Sequence, residues 1–425
     1  MTFNDQSLYS PQFSTHYIQY TLYDLAEWIN GMSFKQSMFS ERGVPVIKIA
    51  EVKNGITQQT KYSDADHDLK YLLKDDDYLF CWSGQPETSI DTFKWNSGAG
   101  WLNQHIYKVL PRENIINAEY FYYLMKYLKP TFIKLASNKQ TTGLGHVTKK
   151  DLQEIQVAIP EQTKQSAITN TLKNVDKKIK LLEETNQTLE SIAKAIFKSW
   201  FVDFDPVHAK QQGIECAGID KATADLFPNS FVESELGLIP KDWKVGLLGD
   251  KIKIAYGKNL PTNKLLDVGY DVFGGNGKIG YFDQYIYETR QVLIACRGAA
   301  SGAINQSTPK AFITNNSLIL ETNQNSLLTF SYIKGFMKRA DLSPFVTGSA
   351  QPQVTIENIK MFKLLIPPKA VIDAYEDIVK IFEDKIQSNI YCINSFTGIR
   401  NTLLPRLISG KLDLSNIEEQ LEGVA

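Results

Sequence analysis

The chain repeats itself. Val147-Thr148-Lys149-Lys150-Asp151-Leu152, running on to Val157-Ala158-Ile159-Pro160, returns as Val354-Thr355-Ile356-Glu357-Asn358-Ile359, running on to Leu364-Leu365-Ile366-Pro367. The offset holds without a gap through the segment that follows, where Val175 matches Phe382, Ile179 matches Ile386, Leu189 matches Phe396 and Ile196 matches Leu403. Self-similarity at a fixed period marks a chain built from copies of one structural unit. A chain of 425 residues is also too long for a single core. Upstream the match continues with small shifts, Tyr78-Leu79-Phe80-Cys81-Trp82-Ser83-Gly84 resembling Leu293-Ile294-Ala295-Cys296-Arg297-Gly298 and placing Trp82 opposite Arg297.

Each copy reads as a mixed α/β domain followed by a long helix. Short strands are expected at 44–49, 78–81, 292–295 and 317–320, where β-branched and aromatic residues cluster between turn residues. Helices are expected at 119–128 and 331–338. The expected division is a first domain at 1–160, a helix at 161–206, a linker at 207–235, a second domain at 236–367, a second helix at 368–411 and a tail at 412–425. The acidic end of that tail, with Glu418, Glu419 and Glu422, is expected to be loosely held.

After Pro160, apolar residues recur in alternating steps of three and four. Leu172, Val175, Ile179, Leu182, Leu189 and Ile196 form a heptad seam that continues to Trp200. After Pro367 a less regular seam runs through Tyr375, Ile378, Phe382, Ile386, Ile393, Phe396, Ile399 and Leu403. A forty-residue helix is roughly 60 Å long at 1.5 Å per residue, well beyond one small domain. Two such helices can bury their seams against each other as an antiparallel coiled coil. Asn186 and Asn389 fall on or beside the seams, either as register-fixing polar positions or as solvated edges.

The motifs of common chemistries are missing. Gly275-Asn276-Gly277-Lys278-Ile279-Gly280 lacks the spacing and the Ser/Thr of a nucleotide-binding P-loop. Pro367-Pro368 lacks the flanking residues of an amino-methyltransferase motif. His16, His67, His105, His146 and His208 lie far apart, so no metal site is expected. Four scattered cysteines without a close pair fit a reducing cytoplasm, and neither a secretory signal nor a membrane span is indicated.

Net charge is −1, with 46 basic against 47 acidic residues, which argues against solitary DNA binding by bulk electrostatics. Charge is locally uneven, however. Residues 126–150 hold Lys126, Lys129, Lys134, Lys139, Lys149 and Lys150, and residues 289–320 hold Arg290, Arg297 and Lys310, neither stretch carrying an acid. The polar loops 137–142 and 347–353 occupy matching places in the repeat. Arg can pair with guanine, and Gln or Asn with adenine, through two hydrogen bonds, while Lys and Thr suit phosphate. The DNA-contact candidates are therefore Lys134, Lys139, Gln140, Thr141, Lys149, Arg290, Arg297, Lys310, Gln351 and Gln353.

In this arrangement the chain resembles the specificity subunits of Type I restriction-modification enzymes. The resemblance covers nearly the whole length. It rests on the two domain-plus-helix repeats, on Ile159-Pro160 and Ile366-Pro367, on the run Phe197-Lys198-Ser199-Trp200-Phe201-Val202-Asp203-Phe204-Asp205-Pro206, on Leu238-Ile239-Pro240-Lys241-Asp242-Trp243, and on Leu403-Leu404-Pro405-Arg406-Leu407-Ile408-Ser409-Gly410-Lys411-Leu412. It implies an α+β fold with two target recognition domains on two paired helices. Each domain would read half of a bipartite asymmetric site in double-stranded DNA. It also implies a chain that is not itself an enzyme. Two methyltransferase and two restriction subunits would be its partners, bringing S-adenosylmethionine, ATP and Mg. Because recognition domains in this family vary freely, no base-contacting residue carries over by motif. A duplicated scaffold that binds protein, or the recognition half of a fused restriction-methylation enzyme, are the alternatives.

Overall fold

The computed structural model describes residues 13–139, 143–322 and 327–414. Gln140 and Thr141, and the acidic end of the tail, fall outside these residues. The chain divides into two compact units: the first combines Met1–Leu181 with Cys392–Ala425, and the second is Leu182–Tyr391.

The first unit is built on an antiparallel sheet of four strands in the order Ala26–Asn30, Ile106–Pro111, Tyr78–Cys81, Asp91–Lys94. All four residues of Tyr78–Cys81 are buried, so this strand shows no alternation in its sequence. A smaller sheet holds Val44–Ile47 and Gly100–Leu102 in parallel. The helix Ala118–Asn138 starts at Asn117, whose side chain caps the amides of Glu119 and Tyr120. It runs ten residues past the expected end, straight through Pro130. A mid-helix proline costs about 3 kcal/mol, but the helix beyond it buries Phe132 and Ala136 completely, which offsets much of that cost.

The second unit repeats this plan with Lys253–Tyr256, Ser317–Glu321, Val292–Ala295 and Ile304–Gln306 as its four-stranded sheet. The helix Phe330–Met337, capped by Thr329, takes the place of Ala118–Asn138. In both units the first and last strands of the domain close on each other. Ile18–Thr21 pairs antiparallel with Gln156–Ile159, and Lys244–Leu247 with Lys363–Ile366. The Ile-Pro dipeptides of the repeat thus mark where each domain shuts and its helix begins. The stretch read as a linker is part of the second unit's core: Val207 and Phe227 are fully buried, Phe227 edge-on to Trp200.

The long helices are Gln162–Phe201 and Lys369–Ile408, each of 40 residues. Within the first unit, Ile168 and Leu172 share a core with Leu407 and Ile408, and Arg400 bonds Asp176 at 3.0 Å. Within the second, Asn389 donates to Asn186 at 2.8 Å, and Phe197 and Trp200 meet Tyr375. Numbers rise along one helix as they fall along the other, so the pair is antiparallel. The Asn186–Asn389 bond resolves the two readings of these residues in favour of a polar pair inside the seam.

Of the expected seam, Leu172 and Ile179 are buried, and Val175, Leu182, Leu189, Ile196, Ile378, Phe382, Ile386, Ile393, Phe396 and Leu403 are partly buried. Ile399 is exposed. The second helix buries Tyr375, Val379 and Glu383 more deeply than Ile378 and Phe382. It packs on its own domain as well as on its partner helix, so its buried face is wider than a two-position heptad stripe.

Candidate nucleic-acid interface

Each unit carries the same backbone corner where its central strand ends. In the first unit, the Trp82 amide donates to the His105 carbonyl at 3.1 Å, and the Val147 amide donates to the Trp82 carbonyl at 2.9 Å. In the second, the Cys296 amide donates to the Asn316 carbonyl at 2.9 Å, and the Val354 amide to the Cys296 carbonyl at 3.1 Å. The next residue then pairs across the corner, Ser83 with His146 and Arg297 with Gln353. Trp82 therefore corresponds to Cys296, and Ser83 to Arg297. The sequence match of Trp82 with Arg297 is off by one residue, and in a strand a one-residue slip moves a side chain to the opposite face.

The two corners carry unlike chemistry on this shared frame. In the first, the half-buried Trp82 donates its indole N–H to Asn30 at 2.9 Å and lies against the rings of His105, Tyr107 and His146. The Ser83 hydroxyl bonds His146 Nδ1 at 2.8 Å. His105 sits at φ +78°, a left-handed conformation uncommon for any residue but glycine, and its Nδ1 is buried without a partner among the described residues. Burial, followed by the neighbouring His146, holds His105 below the usual histidine pKa and so favours the neutral ring. The surface is an aromatic shelf with amide and imidazole edges.

In the second corner Arg297, Gln351 and Gln353 are all exposed. Gln353 lies on a short hairpin of Val346–Thr347 with Gln353–Val354. That hairpin is tied down by the Gly298 amide and the Ser301 hydroxyl, both donating to the Pro352 carbonyl, at 2.9 and 2.7 Å. A guanidinium and two carboxamides on a braced turn can make the paired hydrogen bonds that distinguish guanine and adenine.

The remaining candidates divide. Lys134 is exposed near the end of its helix, and Lys149 lies over the ring of Tyr23 at 4.9 Å. Lys139 is ion-paired with the buried Asp151; burial raises that carboxyl's pKa, but hydrogen bonds from Lys139 and Thr148 outweigh it and hold the group low. Lys126 and Lys129 both pair with Asp91. The positive charge of 126–150 is thus partly neutralised by an acid from outside that stretch and by Asp151 just beyond it. Arg290 is not at the corner: it is largely buried and bonds the buried Glu383 at 2.7 Å. Lys310 pairs with Glu288 at 3.6 Å before a strand of another sheet. Asn30, Ser83, His105 and His146 are corner residues that the sequence does not single out, because only the strand register brings them together. Among the described residues no group of three or more His, Cys, Asp or Glu could hold a metal ion, and no helix is long and apolar enough to cross a membrane.

Comparison with known proteins agrees with this duplicated architecture. The family model for the Type I restriction modification DNA specificity domain matches twice, at residues 17–191 and 240–392. The chain is 25% identical over 373 residues to the HindI specificity subunit of Haemophilus influenzae, covering 71% of this chain and 79% of that one. It is 22% identical over 346 residues to the MjaIX specificity subunit of Methanocaldococcus jannaschii, covering 74% and 73%. The fold is similar to the crystal structure of the S subunit of a Type I restriction-modification system from M. genitalium, with a TM-score of 0.54 at 16% identity, covering 94% of this chain and 98% of that one. Two matches to one domain model, one on each copy of the repeat, show that the chain belongs to the specificity subunits of Type I restriction-modification systems.

Proposed function

We propose that the chain reads a bipartite, asymmetric DNA sequence, one half through each corner, and that it is non-catalytic by itself. The carrying observation is the shared corner: one set of backbone hydrogen bonds presents the half-buried Trp82 and His146, backed by the buried Ser83, in one unit, and the exposed Arg297 and Gln353, beside the buried Cys296, in the other. A common scaffold with divergent side chains suits two unlike half-sites. The helices would serve as the spacer between half-sites and as the docking surface for methyltransferase and restriction subunits, which would bring S-adenosylmethionine, ATP and Mg. Partner surfaces would supply much of the phosphate contact, consistent with the near-neutral charge.

The test is methylation by the chain assembled with its methyltransferase partner. One bipartite sequence should be protected, and protection of none would favour a protein-binding scaffold. Exchanging residues 1–160 for those of another family member should change one half-site only; a change in both would contradict independent readers. Lengthening both long helices by one heptad should change the spacer and leave both half-sites as they were.

A further inference from the structure

In the first unit, three side chains meet at the long helices. The Tyr123 hydroxyl donates to Asp176 at 2.7 Å, and Arg400 donates to the other carboxylate oxygen at 3.0 Å. The repeat assigns each a counterpart in the second unit. The constant offset of the long helices places Glu383 at Asp176 and Ala193 at Arg400. In the domain helices, the caps Asn117 and Thr329, the buried tyrosines Tyr120 and Tyr332, and Met125 and Met337 fix the register and place Gly335 at Tyr123. The second unit therefore has Gly335 and Ala193 at the positions where the first has a tyrosine and an arginine, and the guanidinium that reaches Glu383 comes instead from Arg290 in the domain.

The missing volume is only partly refilled. Phe197 moves against Gly335, where an added Cβ would lie 2.4 Å from its ring. Beside it a cavity of about 640 Å³ remains, within the range typical of small-molecule sites. Its walls include Phe197, Tyr375, Val379, Phe382 and Ile386. Its charged residues are Lys194, Lys334, Lys338 and Arg339 against Glu190 and Glu383. Glu383 is already met by Arg290 and by Lys334, at 2.7 and 3.1 Å. No carboxylate among the described residues lies within ion-pair distance of Lys338. Partial desolvation, and then Lys334 one turn away, push the Lys338 ammonium below the usual lysine range, although Glu190 and Glu383 pull the other way from beyond ion-pair distance. An anion at ion-pair distance would favour the charged ammonium further.

We propose that this cavity binds a small amphiphilic anion, an aromatic or aliphatic body carrying one carboxylate, sulfonate or phosphate group. The body lies against Phe197 and Phe382, and the head group sits between Lys338 and Lys194. The site does not depend on how the corners read DNA.

The experiment uses the full chain with 8-anilinonaphthalene-1-sulfonate as the probe, followed by fluorescence and calorimetry, with uncharged N-phenyl-1-naphthylamine as the control. One probe should bind per chain, at least tenfold more tightly than the control. Lys338→Gln should weaken binding at least fivefold, and Lys338→Arg should retain it. Ala193→Arg, which restores the guanidinium of the other copy, should abolish it while thermal unfolding shows the chain still folded. Undiminished probe binding in both Ala193→Arg and Lys338→Gln, or equal affinity for the uncharged control, overturns the proposal. If Ala193→Arg does not fold, Lys338→Gln against Lys338→Arg decides.

Discussion

The two units hold an acid at the same repeat position and surround it differently. In the first, Asp176 is about a third exposed (32%) and bonds a tyrosine and an arginine. In the second, Glu383 is nearly sealed (5% exposed) and is shared by Arg290, Lys334 and the Ser331 hydroxyl. Each acid ties its domain to a long helix, but they differ in what happens when the tie is cut. Removing a sealed partner leaves two cations that are each about a quarter exposed, 25% and 23%, with no acid between them, whereas removing a partly solvated one leaves groups that water reaches more freely.

The largest expected effect follows from that difference. Glu383→Ala should destabilise the chain by about 3–5 kcal/mol, because it strands Arg290 and Lys334. Asp176→Ala should cost about 1 kcal/mol, the scale of an exposed pair with its hydrogen bond. Thermal and urea unfolding of both variants would rank them. Equal losses would show that burial does not separate the two ties.

The corners sharpen the comparison at the level of recognition. Arg297→Ala should weaken DNA binding by the assembled complex by roughly 1–3 kcal/mol, the value of a paired contact to a base. Ser83→Ala, at the matching but buried place, should cost less, acting through the His146 ring that its hydroxyl holds and on the other half-site only. Quantitative binding to sites altered in one half at a time separates the two. A wild-type curve for Arg297→Ala would make that arginine a strut of the hairpin.

The seam offers a smaller test within the second unit. Asn389→Leu leaves the Asn186 amide without its 2.8 Å partner and should cost about 1 kcal/mol. Replacing both asparagines with leucine should recover that loss and more, at the expense of register. A double variant less stable than the single would mean that the pair contributes net stability and not only alignment.

What was legible in the sequence follows from how local each signal is. The repeat, the domain-closing Ile-Pro pairs and both long helices depend on periodicity, which linear order preserves. The corner depends on register: Trp82 against Arg297 is the natural alignment of two similar strings, yet the backbone hydrogen bonds set Ser83 against Arg297. Arg290 read as a free cation because its partner Glu383 lies far along the chain, and Lys126 and Lys129 did so because Asp91 does. A run without acids is not a surface without acids. The linker failed for a related reason, since Val207 and Phe227 find their core only in the folded second unit.

The smallest expected effect concerns the strained histidine of the first corner. His105 has its pKa below the ordinary 6.5 because burial, and then His146, oppose its charge. In the unfolded chain it returns to that ordinary value, so in the interval between the two the unfolded state holds a proton that the folded state does not. Stability from this group is therefore complete above about pH 6.5 and is lost as pH falls through the folded value. His105→Asn should flatten that slope without disturbing the turn. Asparagine accepts a left-handed backbone more readily than most residues. Unfolding midpoints between pH 5.5 and 7.5 would show it. An unchanged slope in the variant would assign the pH response to other groups and leave the strained φ of His105 as a matter of shape alone.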